Sequence, residues 1–446
     1  MRRPTKAGRF RLTTLLLAVA AAGGTAAAEP PRPPTGEKRY LYVGRAAKDR
    51  DGFRDLAPSI EVHDIDDGHK LVKVIPLPKN VYALRGICAS AATKRLYIAH
   101  YGQFKGKTSA TGYSAPGGGR LLCLDLATNA VLWEKAYPPS ADRMAITPDG
   151  TKLYFPAGEE RDEDFWVVID ARTGDVLTRV PHTSKPHNTI VSLDGKLAFL
   201  QAFGTTSQRI RDTRTNQPVP DENPGDDRTH ENGFLSASDR MLAVVDTRSD
   251  KVIRRVGPFR ECVRPFTING RGTLVFVTVN DLIGFQVGDV QSGRVLFTAE
   301  PPDGTPLDGG RAFRQPPSTD NRIASHGIAL TADEKQVYVV DQKHVGLHVF
   351  DVSGLPEKPP VWKRFLKTRT GRPDIFGQPG WIMSTIDGRY FYPETCEIVD
   401  TRAGKIVGQL VGGDGKPTHS RFALEVVMRN GVPVRVGDQF GVGRVR

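Results

Sequence analysis

The stretch Phe165-Trp-Val-Val-Ile-Asp170-Ala-Arg-Thr-Gly174 decides the fold, because its pattern returns along the whole chain. A run of strand-forming residues ends in an aspartate, and a glycine follows four positions later. The aspartate carboxylate can accept hydrogen bonds from the backbone N–H groups just ahead of it, and glycine or asparagine adopts the positive φ of a tight hairpin. The stretch therefore predicts two antiparallel strands joined by a turn.

The same turn occurs in seven places, with small variations in length. The six further copies begin at Asp64, Asp125, Asp246, Asp289, Asp351 and Asp400. Each copy follows a second recurring strand segment, of which Lys152-Leu-Tyr-Phe155 is the best formed. A repeated hairpin means a repeated unit, and four strands in about 45 residues is the size of a propeller blade.

The two ends of the repeat region complement each other. The first unit has no inner strand before residue 39, whereas the spare strand Arg421–Met428 follows the seventh unit, and Val432–Val436 would extend it. Pairing the spare strand with the first unit would close the ring and remove an open edge. We therefore expect one all-β domain over residues 39–446, a seven-bladed β-propeller of four-stranded antiparallel blades closed by strands from both termini.

The beginning of the chain has the pattern of a targeting segment. The basic stretch Met1–Arg11, the apolar run Leu12–Ala22 and three alanines ending at Ala28 predict a signal peptide, residues 1–28, cleaved after Ala28. The apolar run is shorter than the roughly 20 residues that a membrane-spanning helix needs. Residues 29–38 form a proline-rich leader. We expect an exported protein, periplasmic or extracellular, without a membrane span.

The charge of the chain does not predict nucleic-acid binding. The formal charge is +12, from 62 basic and 50 acidic residues. Five of the basic residues lie in the predicted signal peptide, so the mature chain carries only a modest excess. Binding of nucleic acid would need these residues clustered on one face.

The cysteines predict neither a metal site nor covalent haem. Cys88, Cys123, Cys262 and Cys396 lie far apart, and the chain contains no CxxC or CxxCH motif. Export would permit disulfides, whose pairing the spacing does not reveal. We expect these residues to be small buried side chains in strands.

The repeat units resemble a known propeller family. The segment His326-Gly-Ile-Ala-Leu-Thr-Ala-Asp333, the turn Ile146-Thr-Pro-Asp-Gly150 and the pattern Val-Ile-Asp-x-x-Thr-Gly are similar to the YVTN-type seven-bladed β-propeller repeat, over residues 39–428. Proteins with this fold include surface-layer-associated repeat proteins, lactonase propellers, and propeller domains of nitrous oxide reductase and haem nitrite reductases. The resemblance implies the fold, whereas function must be argued from the site.

The units can be aligned on the Asp-Gly turn that follows each inner strand, such as Asp149-Gly150. This alignment identifies the residues that enter the inner strands, at the mouth of the central channel. These positions are rich in arginine and histidine, which attract anions. The aligned positions are Arg85, Asp142, His187, Arg264, His326 and Gly380, with His419 or Arg421 entering the closing strand, and Arg143 and Trp381 one residue away. We predict a ligand site formed by Arg85, Asp142, Arg143, His187, Arg264, His326, Trp381 and His419. The structural alternative is that these polar residues only hold loops at a wet channel mouth.

Two functions fit this pattern. The first is an exported scaffold that binds a small anionic ligand or a protein partner, without a cofactor; the insertions Gly204–Asp239 and Pro301–Arg322 could cover the opening. The alternative is a lactonase-type hydrolase, with His187 or His326 as base and Arg264 or Arg85 stabilising the oxyanion. Whether the protein is an enzyme stays open, because the sequence shows no dedicated acidic partner for either histidine.

Asp142 distinguishes the two functions. Beside a histidine it would orient a base, whereas a pair with Arg85 or Arg143 would be structural.

No metal site is expected. A copper cluster like that of nitrous oxide reductase would need more histidines on the inner strands. His344 and His348 have the spacing of a helical metal pair, but residues 345–351 predict a strand. Four strand residues span roughly 13 Å, which is too far for a shared ion.

Overall fold

A computed structural model describes most of the chain after residue 35. The described residues are 36–45, 57–81, 83–101, 118–137, 140–158, 164–182, 185–202, 240–307, 312–315, 325–368 and 380–446. The predicted signal peptide, most of the leader, the insertion from Gly204 to Asp239 and half of that from Pro301 to Arg322 lie outside these ranges. Within them, every regular element is a strand, and no helix is long and apolar enough to cross a membrane.

The strands form seven antiparallel sheets, arranged as the blades of a propeller, and the predicted fold is confirmed. Blade 1 contains β1 Glu37–Arg45, β2 Ser59–Asp64 and β3 Lys70–Pro76, with β28 Ala423–Arg429 and β29 Val432–Val436. Blade 2 contains β4 Ala83–Ser90, β5 Arg95–Tyr101, β6 Gly119–Asp125 and β7 Val131–Tyr137. Blade 3 contains β8 Ala145–Ile146, β9 Lys152–Pro156, β10 Phe165–Asp170 and β11 Val176–Pro181.

The other four blades continue in chain order. Blade 4 contains β12 Pro186–Val191, β13 Leu197–Ala202, β14 Leu242–Asp246 and β15 Lys251–Val256. Blade 5 contains β16 Val263–Ile268, β17 Leu274–Val279, β18 Phe285–Asp289 and β19 Val295–Ala299. Blade 6 contains β20 Ile328–Leu330, β21 Gln336–Asp341, β22 Gly346–Asp351 and β23 Val361–Lys367. Blade 7 contains β24 Ile382–Ser384, β25 Tyr390–Pro393, β26 Glu397–Asp400 and β27 Lys405–Gln409.

The repeated aspartates have the structural role that the sequence predicted. In each blade the strand next to the outermost one ends at the aspartate of the motif. The carboxylate Oδ1 of Asp170 accepts hydrogen bonds from the backbone N–H groups of Arg172 and Thr173 at 2.8 and 3.0 Å. Gly174 then has φ +77°, which closes the turn. The aspartates therefore belong to the scaffold, at the ends of the blades away from the predicted site.

Strands from both ends of the described chain close the ring, as predicted. Strand β1 pairs with β2 on one side and with β28 on the other, so that Leu41 lies between His63 and Glu425. Strand β29 adds an innermost fifth strand through the hairpin at Asn430 and Gly431, which both have positive φ. The extension that the sequence predicted is therefore part of blade 1.

Side-chain contacts join blade 1 to blade 7. The Nη1 atom of Arg39 on β1 donates to Asp387 at 2.7 Å. The Nε2 atom of His69 lies 2.8 Å from the Tyr392 hydroxyl. Glu425 on β28 accepts a hydrogen bond from the backbone N–H of Ile386 at its Oε2. This seam holds the closing blade against its neighbour.

Residues 437–446 lie in the channel against the inner strands, which the sequence pattern did not predict. The carbonyl of Gly441 accepts the N–H of Leu330 at 2.9 Å, and the N–H of Gly443 donates to Ile268. Phe440 and Val442 are buried. Gly441 has φ +59°, and a Cβ there would lie 2.4 Å from the Cβ of Ala329, so only glycine fits. The segment is therefore packed against the inner strands of blades 5 and 6.

The four cysteines are buried thiols, as expected, and no disulfide joins them. Cys88 and Cys123 lie in strands as predicted, whereas Cys262 and Cys396 directly precede β16 and β26. Burial raises the pKa of Cys88 and of Cys396 well above the ordinary value of a thiol.

Candidate functional site

Residues predicted from seven separate units come together at one end of the channel. Arg85, His187 and Arg264 lie near the starts of β4, β12 and β16, while Asp142, His326, Trp381 and His419 precede β8, β20, β24 and β28. All except His419 are at least nine-tenths buried. His326 is close enough to Arg143, His187, Arg264 and Arg421 for their charges to affect its pKa. We call this group the mouth cluster.

Asp142 joins two neighbouring blades to its own. Its side chain is fully buried, and Oδ2 accepts a hydrogen bond from Nη2 of Arg85 at 2.7 Å. The same oxygen lies 2.6 Å from Nδ1 of His187, and Oδ1 accepts the N–H of Arg143 at 3.0 Å. Both roles considered for Asp142 are therefore present, a structural ion pair and a carboxylate that orients a histidine. When the neutral ring of His187 carries its proton on Nδ1, which faces Asp142, Nε2 is the basic nitrogen.

Arg143 is a buried cation stacked on an aromatic ring. Its guanidinium carbon lies 3.4 Å from the ring centroid of Trp381 and 4.9 Å from that of Phe422. Nη2 donates to the carbonyl of Arg421 at 3.3 Å, whereas Nε is buried and has no hydrogen-bond partner among the described residues. No carboxylate of the described residues forms an ion pair with it. Burial, followed by the charges of Arg421 and Arg85, lowers the pKa of Arg143, which Asp142 partly opposes.

Trp381 lies at the centre of the mouth cluster. The rings of His187 and His326 meet it edge-on, with centroids 5.9 and 5.5 Å away. The ring centroid of Phe440, in the channel segment, lies 6.3 Å from that of Trp381. Trp381 Nε1 is buried and has no hydrogen-bond partner in the described part of the chain. Burial and then the nearby arginines hold the pKa of His326 well below its ordinary value, so this imidazole is neutral at pH 7.

A second buried carboxylate, Glu394, belongs to the cluster and was missed by the sequence analysis. It follows β25 and accepts a hydrogen bond from Nε of Arg421, and it lies 3.9 Å from Nε2 of His419. A Cβ at Gly380 would lie 1.8 Å from Oε2 of Glu394. The sequence feature that could have revealed Glu394 was therefore Gly380, because the other units carry a large polar residue at the aligned position.

Arg264 has a neutral partner that the sequence analysis also missed. Its Nε donates to the amide oxygen of Asn280, which directly follows β17. Asn280 and Glu394 both follow the ends of second strands. The alignment of the units, in contrast, compares only the residues that enter the inner strands.

His344 and His348 are closer to each other than the sequence predicted. The Oδ2 atom of the buried Asp341 lies 2.7 Å from Nδ1 of His344 and 2.9 Å from Nε2 of His348. The estimate of 13 Å was wrong because β22 begins only at Gly346, and Val345 has φ +59° in the turn before it. Trp362 Nε1 donates to Nδ1 of His348, so this ring is a neutral hydrogen-bond bridge.

The described part of the second insertion packs beside these histidines. The ring of Phe313 meets those of His344 and His348 edge-on, with ring centroids 5.7 and 5.4 Å apart. Across the described ranges, no group of three or more potential ligand residues is placed to hold a metal ion.

Comparisons with known proteins support the fold. No family model matches the chain, and no curated protein sequence matches it. Among solved structures, it is similar to the periplasmic gluconolactonase of Pseudomonas aeruginosa, with a TM-score of 0.54 and 12% identity over 90% of this chain and 98% of that one. It is also similar to the hydrazine synthase of Kuenenia stuttgartiensis, with a TM-score of 0.49 and 15% identity over 81% of this chain and 100% of that one. At 12% identity, the likeness to the gluconolactonase concerns the fold alone.

Proposed function

We propose that the mouth cluster binds a small anionic ligand. The observation that carries this proposal is Arg143, a guanidinium that is only 3% exposed and forms no ion pair with a described carboxylate. Burial of a charge without a counter-ion is costly, because the lost hydration is not replaced. A bound carboxylate would supply the missing charge and accept the hydrogen bond of Nε. The site is therefore electrostatically incomplete without an anion.

The charges around Arg143 favour the same kind of ligand. Asp142 is shared by Arg85 and His187, and Glu394 accepts from Arg421. Arg264 donates to the neutral amide of Asn280. Among the described residues, the cluster thus combines four guanidinium groups with the two carboxylates of Asp142 and Glu394. We infer that the ligand is a small organic acid whose carboxylate meets Arg143.

Isothermal titration of the protein with gluconate, a sugar acid, tests this proposal. We expect saturable binding that Arg143→Gln weakens at least tenfold, because one charge-assisted contact is removed. The matched control is Arg179→Gln, since Arg179 also stacks on an aromatic ring, Phe165, but belongs to the outer strand β11. A screen of sugar acids and other small anions without a hit, or a hit that Arg143→Gln leaves unchanged, would reject the proposal.

A second candidate function is lactone hydrolysis, which the contact between His187 and Asp142 favours. Nε2 of His187 would take a proton from water, and the resulting hydroxide would add to the lactone carbonyl. Arg143 or Arg264 would stabilise the oxyanion until the ring C–O bond breaks and the departing alkoxide takes up the proton. The product is a hydroxy acid, an anion that fits the same cluster. The gluconolactonase among the structural neighbours fits this candidate.

Hydrolysis of glucono-δ-lactone, followed by base consumption at constant pH, tests the second candidate. We expect His187→Gln to lower kcat at least a hundredfold while gluconate binding is retained. The matched control is His344→Gln, because His344 also contacts a buried aspartate through Nδ1 but lies on blade 6 outside the cluster. No activity above the uncatalysed rate, or equal activity in the His187 variant, would leave ligand binding as the only function.

We also propose that the protein is an exported propeller of the YVTN type. The support is the predicted signal peptide, residues 1–28, together with the repeated motifs of the blades. Expression of the full chain in a bacterium with a Sec pathway, followed by N-terminal sequencing, tests the export. A mature protein that begins at Glu29 in the periplasm or medium supports it, and an unprocessed cytoplasmic chain contradicts it.

A further inference from the structure

A partly open space lies at the other end of the channel. It is a cavity of about 650 Å³, lined by residues that follow the mouth cluster along the inner strands of blades 2, 3 and 4. These wall residues are 87–92, 144–148 and 190–193, and residues 434–440 form the facing wall. Small-molecule sites in proteins commonly have volumes of about 300–1,000 Å³. The cavity is therefore large enough for a ligand of its own.

The cavity exists because the channel segment is held to one side. Gly441, Gly443 and Arg444 form backbone hydrogen bonds with Leu330, Ile268 and Ala332 of blades 5 and 6. Towards blades 2 to 4, Gln439 reaches the carbonyl of Met144 through its amide at 3.5 Å. The segment thus follows one half of the channel wall and leaves space against the other half.

The inner end of the cavity is apolar and separate from the mouth cluster. Ile87, Met144, Ile190 and Phe440 line it, and all four are at most 3% exposed. The ring of Phe440 contacts Trp381 on its other side. Phe440 thus lines the cavity and contacts Trp381, whereas no residue of the mouth cluster is part of the cavity lining.

The outer end of the cavity is positively charged. Its charged lining residues are three arginines and one aspartate, namely Arg435, Arg444, Arg446 and Asp438. Asp438 pairs with Arg444, and Arg435 shares Glu37 with Arg429. Arg446 forms no ion pair with any residue in the described part of the chain, and both it and Arg435 are exposed. Two cations therefore stand at the rim of an apolar cavity.

We propose that this cavity is a second binding site, which takes small amphipathic carboxylates such as a medium-chain fatty acid. The hydrocarbon chain lies against Ile87, Ile190 and Phe440, where its apolar surface is removed from water. The carboxylate stays at the rim, where Arg435 and Arg446 supply opposite charge and water remains accessible. The buried amide of Gln439, whose oxygen has no hydrogen-bond partner in the described part of the chain, is an additional polar group in the wall.

Isothermal titration of the full protein with octanoate tests the proposal, with octan-1-ol as the uncharged analogue. We expect one octanoate per chain, and binding of octan-1-ol at least tenfold weaker. Ala91→Phe, which fills the cavity from the turn after β4, should abolish binding of octanoate. The matched control is Ala127→Phe, at an exposed turn alanine of the same blade outside the cavity. The double variant Arg435→Gln/Arg446→Gln should weaken the binding of octanoate at least fivefold and leave the binding of octan-1-ol unchanged.

The variant Arg143→Gln should keep its octanoate affinity, which separates this site from the mouth cluster. Absence of saturable octanoate binding in the unmodified protein would overturn the proposal, as would binding that Ala91→Phe leaves intact. Equal affinity for octanoate and octan-1-ol would overturn the assignment to carboxylates. Competition between gluconate and octanoate would show one shared site instead of two.

Discussion

The Nδ1 atom of His187 lies 2.6 Å from Oδ2 of Asp142, although 45 positions separate the two residues in the sequence. The same oxygen accepts the hydrogen bond from Arg85. One fully buried carboxylate of blade 3 therefore connects blades 2 and 4 at the start of their inner strands. This relationship makes Asp142 both a structural residue and the group that orients the histidine of the proposed site.

Asp142→Asn is expected to destabilise the protein. The amide keeps the size of the side chain but removes the charge that compensates the buried Arg85 guanidinium. Breaking a buried ion pair by removing one partner typically costs about 3–5 kcal/mol. Urea unfolding followed by intrinsic fluorescence measures the loss of unfolding free energy.

Asp175→Asn is the control for this change, because Asp175 pairs with Lys135 at the exposed surface of outer strands. We expect no measurable loss there, since water screens such pairs. If the two variants have equal stability, Asp142 does not connect the blades as the geometry indicates.

Gly380→Ala is expected to disturb the mouth cluster through Glu394. The added Cβ would lie 1.8 Å from Oε2 of Glu394, so the carboxylate must move and its contact with Arg421 must change. Overpacking of this kind costs roughly 1–3 kcal/mol. Gluconate titration and urea unfolding should both show the effect.

Gly413→Ala serves as the matched glycine control. Its Cβ would meet its nearest neighbours at 3.6–3.7 Å, which is ordinary contact, and its φ is not positive. A Gly380→Ala protein that binds gluconate as tightly as the Gly413→Ala protein would show that Glu394 does not shape the site.

Glu425 is expected to make the stability of the ring closure pH-dependent. Burial raises the pKa of this carboxyl to about 7, helped by Asp387 and opposed by the N–H of Ile386 and by Arg39 and Arg444. Between its ordinary pKa of 4.5 and about 7, the folded protein keeps a proton that the unfolded chain releases. The stabilisation is therefore complete below about pH 4.5 and is lost as the pH rises through 7.

Glu425→Gln removes this titration while it keeps the oxygen that accepts the hydrogen bond of Ile386. The unfolding free energy of the variant relative to the unmodified protein should thus increase between pH 4.5 and 8, by up to about 3 kcal/mol at 1.36 kcal/mol per pKa unit. Urea unfolding of both proteins at four pH values in this range measures this difference. The contributions of the other titrating groups are the same in both proteins and cancel. The exposed Glu357→Gln should show a constant difference, and the same flat result for Glu425→Gln would contradict the prediction.

Phe440→Ala is expected to weaken both the fold and the mouth cluster. Phe440 is 3% exposed and packs against Trp381, so truncation leaves a cavity in the channel. Loss of a buried phenylalanine costs about 3–5 kcal/mol. Guanidinium unfolding should show this loss, together with weaker gluconate binding because Trp381 and Arg143 lose support.

Phe440→Leu should recover most of the stability, because it keeps an apolar contact under Trp381. Equal stability of the alanine variant and the unmodified protein would show that residues 437–446 do not support the centre of the channel.

Several site residues could be predicted because the repeats supply a register. Counting back from the turn after each inner strand placed Arg85, His187 and Arg264 at one end of the channel, although they lie on three blades. Glu394 and Asn280 could not be found in this way, because they come from the ends of second strands, whose position relative to the channel depends on strand length and twist. The close approach of His344 and His348 was missed because a turn residue was assigned to a strand.

The sequence by itself determined the seven blades, the turn at each aspartate and the closure of the ring, because hairpin chemistry and strand periodicity are local properties. It also indicated which positions enter the inner strands. Only the tertiary structure decided which of these residues touch, because contacts between blades depend on how seven sheets pack around one axis. Three contacts join segments that no local pattern connects: the link from Arg85 through Asp142 to His187, the stacking of Arg143 on Trp381 and the packing of residues 437–446 in the channel.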